Sequence, residues 1–274
     1  MPLITTEELR TRLGEDDLVV VDCRWYLDEP DRGPAAYAAA HIPGAVHADL
    51  DHDLSQAGGP GRHPLPDPAT FDATLGRLGI GPASTVVAYD DAGGAVAARL
   101  WWMLTDQGHG AAFVLDGGLP AWVDSGGPVT DDVPDPGTGT ANIATRSWGG
   151  VVTIDEVEHL PRGTVLIDAR DPERYRGENE PVDPKAGHIP GAINLPLVGN
   201  LTDDRFNTPA TITARFAAAT GASSNIIVHC GSGVTACHLI LAATVAGLPR
   251  PRLFVGSWSE WSNTDRPVAI GPAP

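Results

Sequence analysis

The sequence predicts a duplicated α/β fold, and three observations support this prediction. The run VVVDCR at residues 19–24 resembles VLIDAR at residues 165–170. Each run is followed about twenty residues later by the same pentapeptide, His-Ile-Pro-Gly-Ala, at 41–45 and 188–192. Short Val- and Ile-rich runs alternate with helical patterns, which is typical of a mostly parallel sheet flanked by helices on both faces. We therefore predict two copies of one doubly wound domain.

The later elements repeat in the same order. Residues 85–90 form an apolar run before a Gly-Gly turn and a helical stretch, and residues 225–230 precede a glycine loop of their own. The last strand recurs at 114–118 and again at 254–257, each time followed by tryptophan. We predict domains at 1–127 (non-catalytic) and 150–274 (catalytic), joined by a linker at 128–149 that is rich in Pro, Gly, Asp and Thr.

The charge and the cysteine count limit the possible partners and compartment. Among 274 residues, 35 are acidic and 18 are basic, a formal net charge of −17. This charge argues against nucleic acid and anionic membranes as partners. The first residues lack a secretory signal pattern, and no apolar run is long enough to span a bilayer. Three cysteines, an odd number, suit a reducing compartment, so we expect a cytoplasmic protein.

Cys230 has the sequence context of a nucleophile. It ends the apolar run at 226–230, and Gly231 and Gly233 allow the backbone after it to turn its amides inward. The apolar run 234–246 predicts a helix that begins beside the sulfur, and both features favour a thiolate. In parallel sheets reactive groups collect at the carboxyl ends of strands. Asp90 takes the equivalent place in the first copy and cannot do thiol chemistry, so we expect that copy to be scaffold and half of a cleft.

Taken together, the duplicated His-Ile-Pro-Gly-Ala segment, the Asp-Gly-Gly and Gly-Ser-Trp strand ends, and one cysteine loop resemble the tandem rhodanese-domain sulfurtransferases. The resemblance covers essentially the whole chain. The loop CGSGVTA at 230–236 looks like the version found in 3-mercaptopyruvate sulfurtransferases. The resemblance implies a sulfur acceptor at Cys230 and a polar partner at Ser232, with His63 and Asp51 facing that serine.

The resemblance also implies how an anionic sulfur donor is bound. Arg174 resembles the arginine that holds a substrate carboxylate, and the loop amides hold the transferred sulfur; the loop residues are Gly231, Gly233, Val234 and Thr235. A second arginine is expected just after an acidic-proline segment, but Val182 stands there. Lys185 or Arg176 could take its place.

The expected reaction needs no metal and no organic cofactor. The donor is mercaptopyruvate or thiosulfate, and the acceptor is a thiol, cyanide or a thioredoxin-like protein with a reduced dithiol. Two alternatives stay open: a thiosulfate-preferring enzyme, and a non-enzymatic module that binds or senses persulfide. A cysteine phosphatase would need an arginine six positions after the cysteine, where Ala236 stands.

Histidines outside the cysteine loop have simpler interpretations. The cluster of His and Asp at 47–63 fits no compact set of metal ligands. His41 and His188 recur although only one copy carries the cysteine loop, so we predict that both histidines fix turns rather than catalyse.

Overall fold

The computed structural model describes residues 1–135, 141–221 and 223–274. The chain forms two compact units, and each of them includes a short segment from the other half of the sequence. The first unit contains Met1–Gln56, Leu65–Gly149 and Asp203–Phe206, and the second contains Ala57–Pro64, Gly150–Thr202 and Asn207–Pro274. Residues 136–140 of the predicted linker lie outside the described residues.

The first unit is built on a five-stranded parallel sheet. Its strands are β1 (Leu3–Ile4), β2 (Leu18–Asp22), β3 (Val46–His47), β4 (Thr85–Tyr89) and β5 (Ala112–Leu115). The sheet order is β1-β5-β4-β2-β3, and every pair is parallel. The central strand β4 is buried along its whole length, as expected for a parallel strand between helical layers.

The helices of the first unit are α1 (Thr6–Arg12), α2 (Arg32–Ala39), α3 (Pro68–Arg77), α4 (Ala97–Asp106) and α5 (Gly118–Asp124). Two of them, α1 and α3, begin at capping signals in the sequence. Thr5 and Glu8 form a reciprocal capping box at α1, and Asp67 caps α3 just before its proline. These side chains bind amides that the helices themselves leave without partners.

The second unit repeats this plan. Its main strands are β6 (Val151–Val152), β7 (Val165–Asp168), β8 (Ala192–Asn194), β11 (Ile226–His229) and β12 (Arg252–Phe254). The order β6-β12-β11-β7-β8 matches that of the first sheet strand for strand, again fully parallel. The predicted α/β fold in two copies is therefore confirmed.

The remaining elements complete both units. The second unit's helices are α6 (Ile154–Glu158), α7 (Pro172–Arg176), α8 (Pro209–Thr220), α9 (Ala236–Val245) and α10 (Ser257–Trp261), with a 3-10 helix at Leu197–Asn200. Two short strands lie in the interval before α8, β9 (Leu201–Thr202) and β10 (Arg205–Phe206). Within the described ranges, no helix combines the length and the apolar character needed to cross a membrane.

A buried ion pair stands at the end of the second strand of each unit. In the second unit, Arg170 binds both oxygens of Asp168 and also donates to the Gly187 carbonyl. Burial alone would raise the pKa of Asp168, but the Arg170 guanidinium holds it below its usual range. Asp22 and Arg24 form the equivalent pair in the first unit.

Both repeated histidines are structural, as predicted. His41 is fully buried, stacks on Tyr37, and its two ring nitrogens contact the carbonyls of Tyr37 and Asp132 at 2.7 and 3.1 Å. His188 is also fully buried and stacks on Tyr175, and its ring nitrogens contact two carbonyls in the same way. Each ring therefore ties its pentapeptide to two other segments of the same unit.

The described end of the predicted linker packs on the first unit. The carboxylate of Asp72 accepts three consecutive amides, those of Asn142, Ile143 and Ala144. Trp148 donates to the carbonyl of Pro66 at 2.9 Å. Residues 141–149 are thus held by specific hydrogen bonds, which the Pro- and Gly-rich composition did not predict.

Candidate active site

Cys230 directly follows β11 at the carboxyl edge of the second sheet, as the sequence predicts. Its side chain is buried, and the residue is 1 % exposed. The amide of Gly233 donates to the Cys230 sulfur at 3.1 Å. An inward-pointing amide at this distance stabilises negative charge on sulfur.

Backbone geometry requires glycine at position 233. Gly233 has a φ of +79°, and a Cβ added to it would lie 2.3 Å from the carbonyl oxygen of Val255. The left-handed conformation turns the chain back, so that the Gly233 amide meets the sulfur three residues earlier. The sequence prediction that Gly233 lets the loop curl is therefore confirmed.

The segment after β12 supports the cysteine loop from the other side. The Cys230 amide donates to Ser257 Oγ at 3.1 Å, and the Cys230 carbonyl accepts the Trp258 amide at 3.0 Å. The Gly231 carbonyl accepts the Ser259 amide at 2.8 Å. These bonds fix the backbone at Cys230 and at the residue after it.

The loop ends in the predicted helix. Val234 is buried, and its carbonyl accepts the amide of Cys237 at 3.0 Å. Thr235 precedes the first residue of α9, and its carbonyl accepts the amide of His238 at 3.2 Å. Helix α9 runs from Ala236 to Val245, inside the predicted range. The cysteine loop therefore leads into the positive end of a ten-residue helix.

Two predicted site residues meet beside the cysteine loop. The Nδ1 atom of His63 lies 2.8 Å from the Oγ atom of Ser232, and both residues are buried. His63 lies in Ala57–Pro64, which packs as part of the second unit. Asp51 belongs to the first unit, where its carboxylate accepts a hydrogen bond from Trp25 Nε1 at 2.8 Å.

Arg174 is held by two carboxylates. Its Nε and Nη2 atoms donate to Glu180 at 3.2 and 2.6 Å, and Nη2 also donates to Asp183 at 3.1 Å. A Cβ built on Gly231 would lie 3.5 Å from Nη1 of Arg174. The guanidinium therefore stands next to the residue that follows the nucleophile.

Arg62 is a charged residue of this region that the sequence analysis missed. Its Nη1 atom donates to Asp183 at 3.0 Å, and its Nη2 atom would lie 3.2 Å from a Cβ on Gly231. The Arg62 amide donates to Ser259 Oγ at 3.0 Å. The available signal was its place in the Arg-His-Pro-Leu-Pro motif, directly before His63.

The two candidates for a second substrate cation have other partners. Lys185 donates from its ammonium group to the Thr264 carbonyl. Arg176 binds Glu178 at 2.7 Å through both its Nε and Nη2 atoms. Val182 donates its amide to Glu180 at 3.1 Å. In the structure, Arg62 and Arg174 are thus the guanidinium groups recorded beside Gly231.

In the first unit, the loop that corresponds to the cysteine loop is filled by its own carboxylate. Asp90 is buried, and its two oxygens accept the amides of Ala92, Gly94, Val96 and Ala97 at 2.8 to 2.9 Å. Burial raises the pKa of Asp90, although the four amides act in the opposite direction. Asp90 and Cys230 thus both accept inward-pointing amides of the loop that follows them, four at Asp90 and that of Gly233 at Cys230.

His229 directly precedes Cys230 and is the last residue of β11. It is fully buried, and its Nε2 atom is 3.8 Å from the Asp168 carboxylate. Burial lowers the pKa of His229 below its ordinary value of 6.5, and the nearby Asp168 opposes this shift only in part. The imidazole is therefore neutral at physiological pH. As for metals, no group of three or more His, Cys, Asp or Glu side chains in the described ranges is arranged to hold an ion.

The protein thus combines two repeated parallel-sheet units with one cysteine loop, in which the Gly233 amide donates to the Cys230 sulfur. The family model for the rhodanese-like domain matches residues 5–125 and 153–264. A Pseudomonas aeruginosa protein with the provisional name 3-mercaptopyruvate sulfurtransferase is 44 % identical and aligns over 98 % of each chain. The chain belongs to the rhodanese family and is an enzyme, a sulfurtransferase.

Two further relatives show how the names vary. A Mycobacterium tuberculosis protein, provisionally named a thiosulfate sulfurtransferase, is 43 % identical over 99 % of this chain and 98 % of its own. The solved structure of 3-mercaptopyruvate sulfurtransferase from Leishmania major has a TM-score of 0.83 and 32 % identity, covering 97 % of this chain and 75 % of that one. Relatives that are almost equally identical to this chain are thus named after different sulfur donors.

Proposed function

We propose that this sulfurtransferase carries sulfur as a persulfide on Cys230, with 3-mercaptopyruvate as the preferred donor. The observation that carries the proposal is the Gly233 amide at 3.1 Å from the Cys230 sulfur. Persulfide is a soft anion, and an amide that already faces the sulfur can stabilise it without reorganisation.

In the first step the Cys230 thiolate attacks the donor sulfur. With mercaptopyruvate, a sulfur–sulfur bond forms and the bond between sulfur and carbon breaks. The electron pair goes to the carbon, and the proton of the donor thiol ends on that carbon to give pyruvate. With thiosulfate the bond between the two sulfurs of the donor breaks, and sulfite leaves with the electron pair.

Ser232 and His63 form the proposed relay for this proton. Their contact of 2.8 Å allows a proton to pass from the hydroxyl to the leaving carbon while the imidazole replaces it. Asp51 is proposed as the third member on the resemblance alone. Sulfite needs no such proton, so the relay favours mercaptopyruvate over thiosulfate as the donor.

In the second step an acceptor attacks the outer sulfur and restores the Cys230 thiolate. Cyanide takes the sulfur as thiocyanate, and a small thiolate takes it as a persulfide. A thioredoxin-like dithiol releases it as sulfide and becomes a disulfide. The chain's net charge of −17 makes local cations necessary for anionic donors, and Arg174 is the proposed ligand. The expected compartment remains the cytoplasm, which suits an odd number of cysteines.

Mass spectrometry of the peptide that contains Cys230 tests the proposal. After exposure to mercaptopyruvate, the peptide should gain one sulfur atom, and cyanide should remove it as thiocyanate. C230S should gain none, whereas C23S, which alters a buried thiol of the first unit, should load like the wild type. Loading of C230S, or no loading of the wild type by either donor, would contradict the proposal.

The ratio of kcat/KM for the two donors tests the order of preference. We expect a higher value for mercaptopyruvate, with the same acceptor in both assays. A higher value for thiosulfate would overturn this order but leave the Cys230 persulfide in place.

A further inference from the structure

The guanidinium groups of Arg62 and Arg174 converge on the residue that follows the nucleophile. A Cβ on Gly231 would lie 3.2 Å from Nη2 of Arg62 and 3.5 Å from Nη1 of Arg174. Both nitrogen atoms therefore lie close to the Gly231 backbone, near enough to contact a small group placed beside it. The two residues are 112 positions apart in the sequence, so only the fold brings them together.

Asp183 and Glu180 fix the orientation of this pair. Asp183 bridges it, accepting from Arg62 Nη1 at 3.0 Å and from Arg174 Nη2 at 3.1 Å. Glu180 binds Arg174 through Nε and Nη2. The nitrogens closest to Gly231 are those that do not take part in these bonds, Nη2 of Arg62 and Nη1 of Arg174.

Arg62 is anchored but open to solvent on one side. Its amide binds Ser259 Oγ, and a Cβ on the preceding Gly61 would lie 2.7 Å from the Gly256 carbonyl, so the backbone is closely packed. The Arg62 side chain is 27 % exposed, and Arg62 and Asp183 line a groove of about 570 Å³. Within the described part of the chain, the buried Nε atom of Arg62 has no hydrogen-bond partner. Part of the Arg62 side chain therefore faces solvent in this groove.

We infer that Arg62 is a second substrate-binding residue, and that the carboxylate of the sulfur donor binds between Arg62 Nη2 and Arg174 Nη1 beside Gly231. Two guanidinium groups held side by side can each donate a charge-assisted hydrogen bond to one carboxylate. Binding there holds the donor next to Cys230, which supplies the proximity that the reaction needs. The inference rests on the proposed function, because it assigns a residue to that same donor site.

Kinetics of the intact protein test the role of Arg62. R62A should raise the KM for mercaptopyruvate about tenfold, the size of one charge-assisted contact, and change kcat much less. R62K should fall between R62A and the wild type, because lysine keeps the charge but loses the planar fork. R176A is the matched control, since Arg176 binds Glu178, and its KM should equal that of the wild type.

A second variant tests the space between the arginines. G231A places a methyl group 3.2 Å from Arg62 Nη2, and the φ of Gly231 is outside the left-handed region, so the fold should tolerate alanine. We expect a raised KM for mercaptopyruvate. Unchanged KM values in both R62A and G231A would overturn the inference, as would a raised KM in R176A alone.

Binding of pyruvate to C230S separates this inference from the proposed function. Titration calorimetry measures pyruvate binding at the carboxylate site without any sulfur transfer. In the C230S background, R62A should weaken this binding about tenfold. If wild-type Cys230 gains no sulfur but pyruvate still binds through Arg62, the proposed function fails and the site stands. If loading is normal and R62A does not weaken pyruvate binding, the site assignment fails alone.

Discussion

The Nδ1 atom of His63 lies 2.8 Å from the Oγ atom of Ser232, although 169 positions of sequence separate the two residues. The pair is buried within the second unit. It stands two residues beyond Cys230, where a leaving carbon would need a proton.

Loss of the Ser232 hydroxyl should affect the two donors differently. S232A removes the proposed proton donor, so kcat with mercaptopyruvate should fall about 100-fold, the usual size of a general acid contribution. With thiosulfate, whose leaving group needs no proton, kcat should change much less. Steady-state assays with both donors give this comparison.

Two histidine variants test the same proton transfer at His63, the hydrogen-bond partner of Ser232. H63Q should reproduce the donor-dependent loss, whereas H52Q, which alters an exposed histidine 85 % accessible to solvent, should not. Equal losses of kcat with both donors would show that the pair positions the loop rather than transferring a proton.

Alanine at position 233 should destabilise the protein and abolish turnover. G233A combines a φ of +79° with a Cβ only 2.3 Å from the Val255 carbonyl, so the loop must move and withdraw its amide from the sulfur. We expect a loss of about 2 kcal/mol or more in the free energy of unfolding, measured with denaturant. G247A is the control, because Gly247 has a φ of +68° but nothing within 4 Å of its added Cβ. An equal loss of unfolding free energy in G233A and G247A would mean that the positive φ, and not the close contact with Val255, causes the destabilisation.

The Asp90 carboxylate should contribute to stability but not to chemistry. D90N replaces an acceptor oxygen by an amide that faces backbone donors, so the free energy of unfolding should fall by about 1 to 3 kcal/mol. D124N alters an exposed aspartate of the same unit and should leave the free energy of unfolding unchanged. Sulfur loading of folded D90N should equal that of the wild type; a loss of loading would give the first unit a chemical role.

Stability should fall as the pH drops below about 6.5, in part because of His229. Burial lowers the pKa of His229 in the folded state, so below the unfolded value of 6.5 the unfolded chain binds more protons. Protonation then favours unfolding, and stability returns as pH rises. H229Q should reduce the slope of melting temperature against pH between about 5 and 7.

An exposed histidine should behave in the opposite sense. The hydrogen bond to Asp49 raises the pKa of His52, so any stability it contributes is present at low pH and is lost as pH rises. Because the side chain is exposed, H52Q should change the dependence of melting temperature on pH only slightly.

If H229Q keeps the wild-type slope of melting temperature against pH, groups other than His229 cause the pH dependence.

Repetition in the sequence was sufficient to predict the sheets. The run at 19–24 overlaps β2 and the run at 165–170 contains β7, and the buried Val, Leu and Ile residues of these strands reflect a strand covered on both faces. The edge strands β1 and β6 have only two residues each, too few for any periodic pattern. Cys230 and its glycines could be predicted because they adjoin one strand.

Arg62 could not be predicted, because its neighbours depend on long-range packing. By sequence it belongs to the first half, and its place in the second unit depends on distant residues: Gly61 approaches Gly256 closely, and Arg62 binds Ser259 and Asp183. The sequence likewise predicted that Asp90 replaces a cysteine. It could not show that the carboxylate binds four amides, since that depends on the exact path of the loop.

Inclusion of Ala57–Pro64 in the second unit has a consequence for dissecting the molecule. A fragment that starts at the repeat boundary near residue 150 would retain Cys230 and Arg174 but lose both Arg62 and His63. Chimeras that join halves of two relatives at that point would likewise combine the segment equivalent to Ala57–Pro64 from one parent with the cysteine loop from the other. The repeated half of the sequence and the compact unit that contains Cys230 are therefore different stretches of this polypeptide.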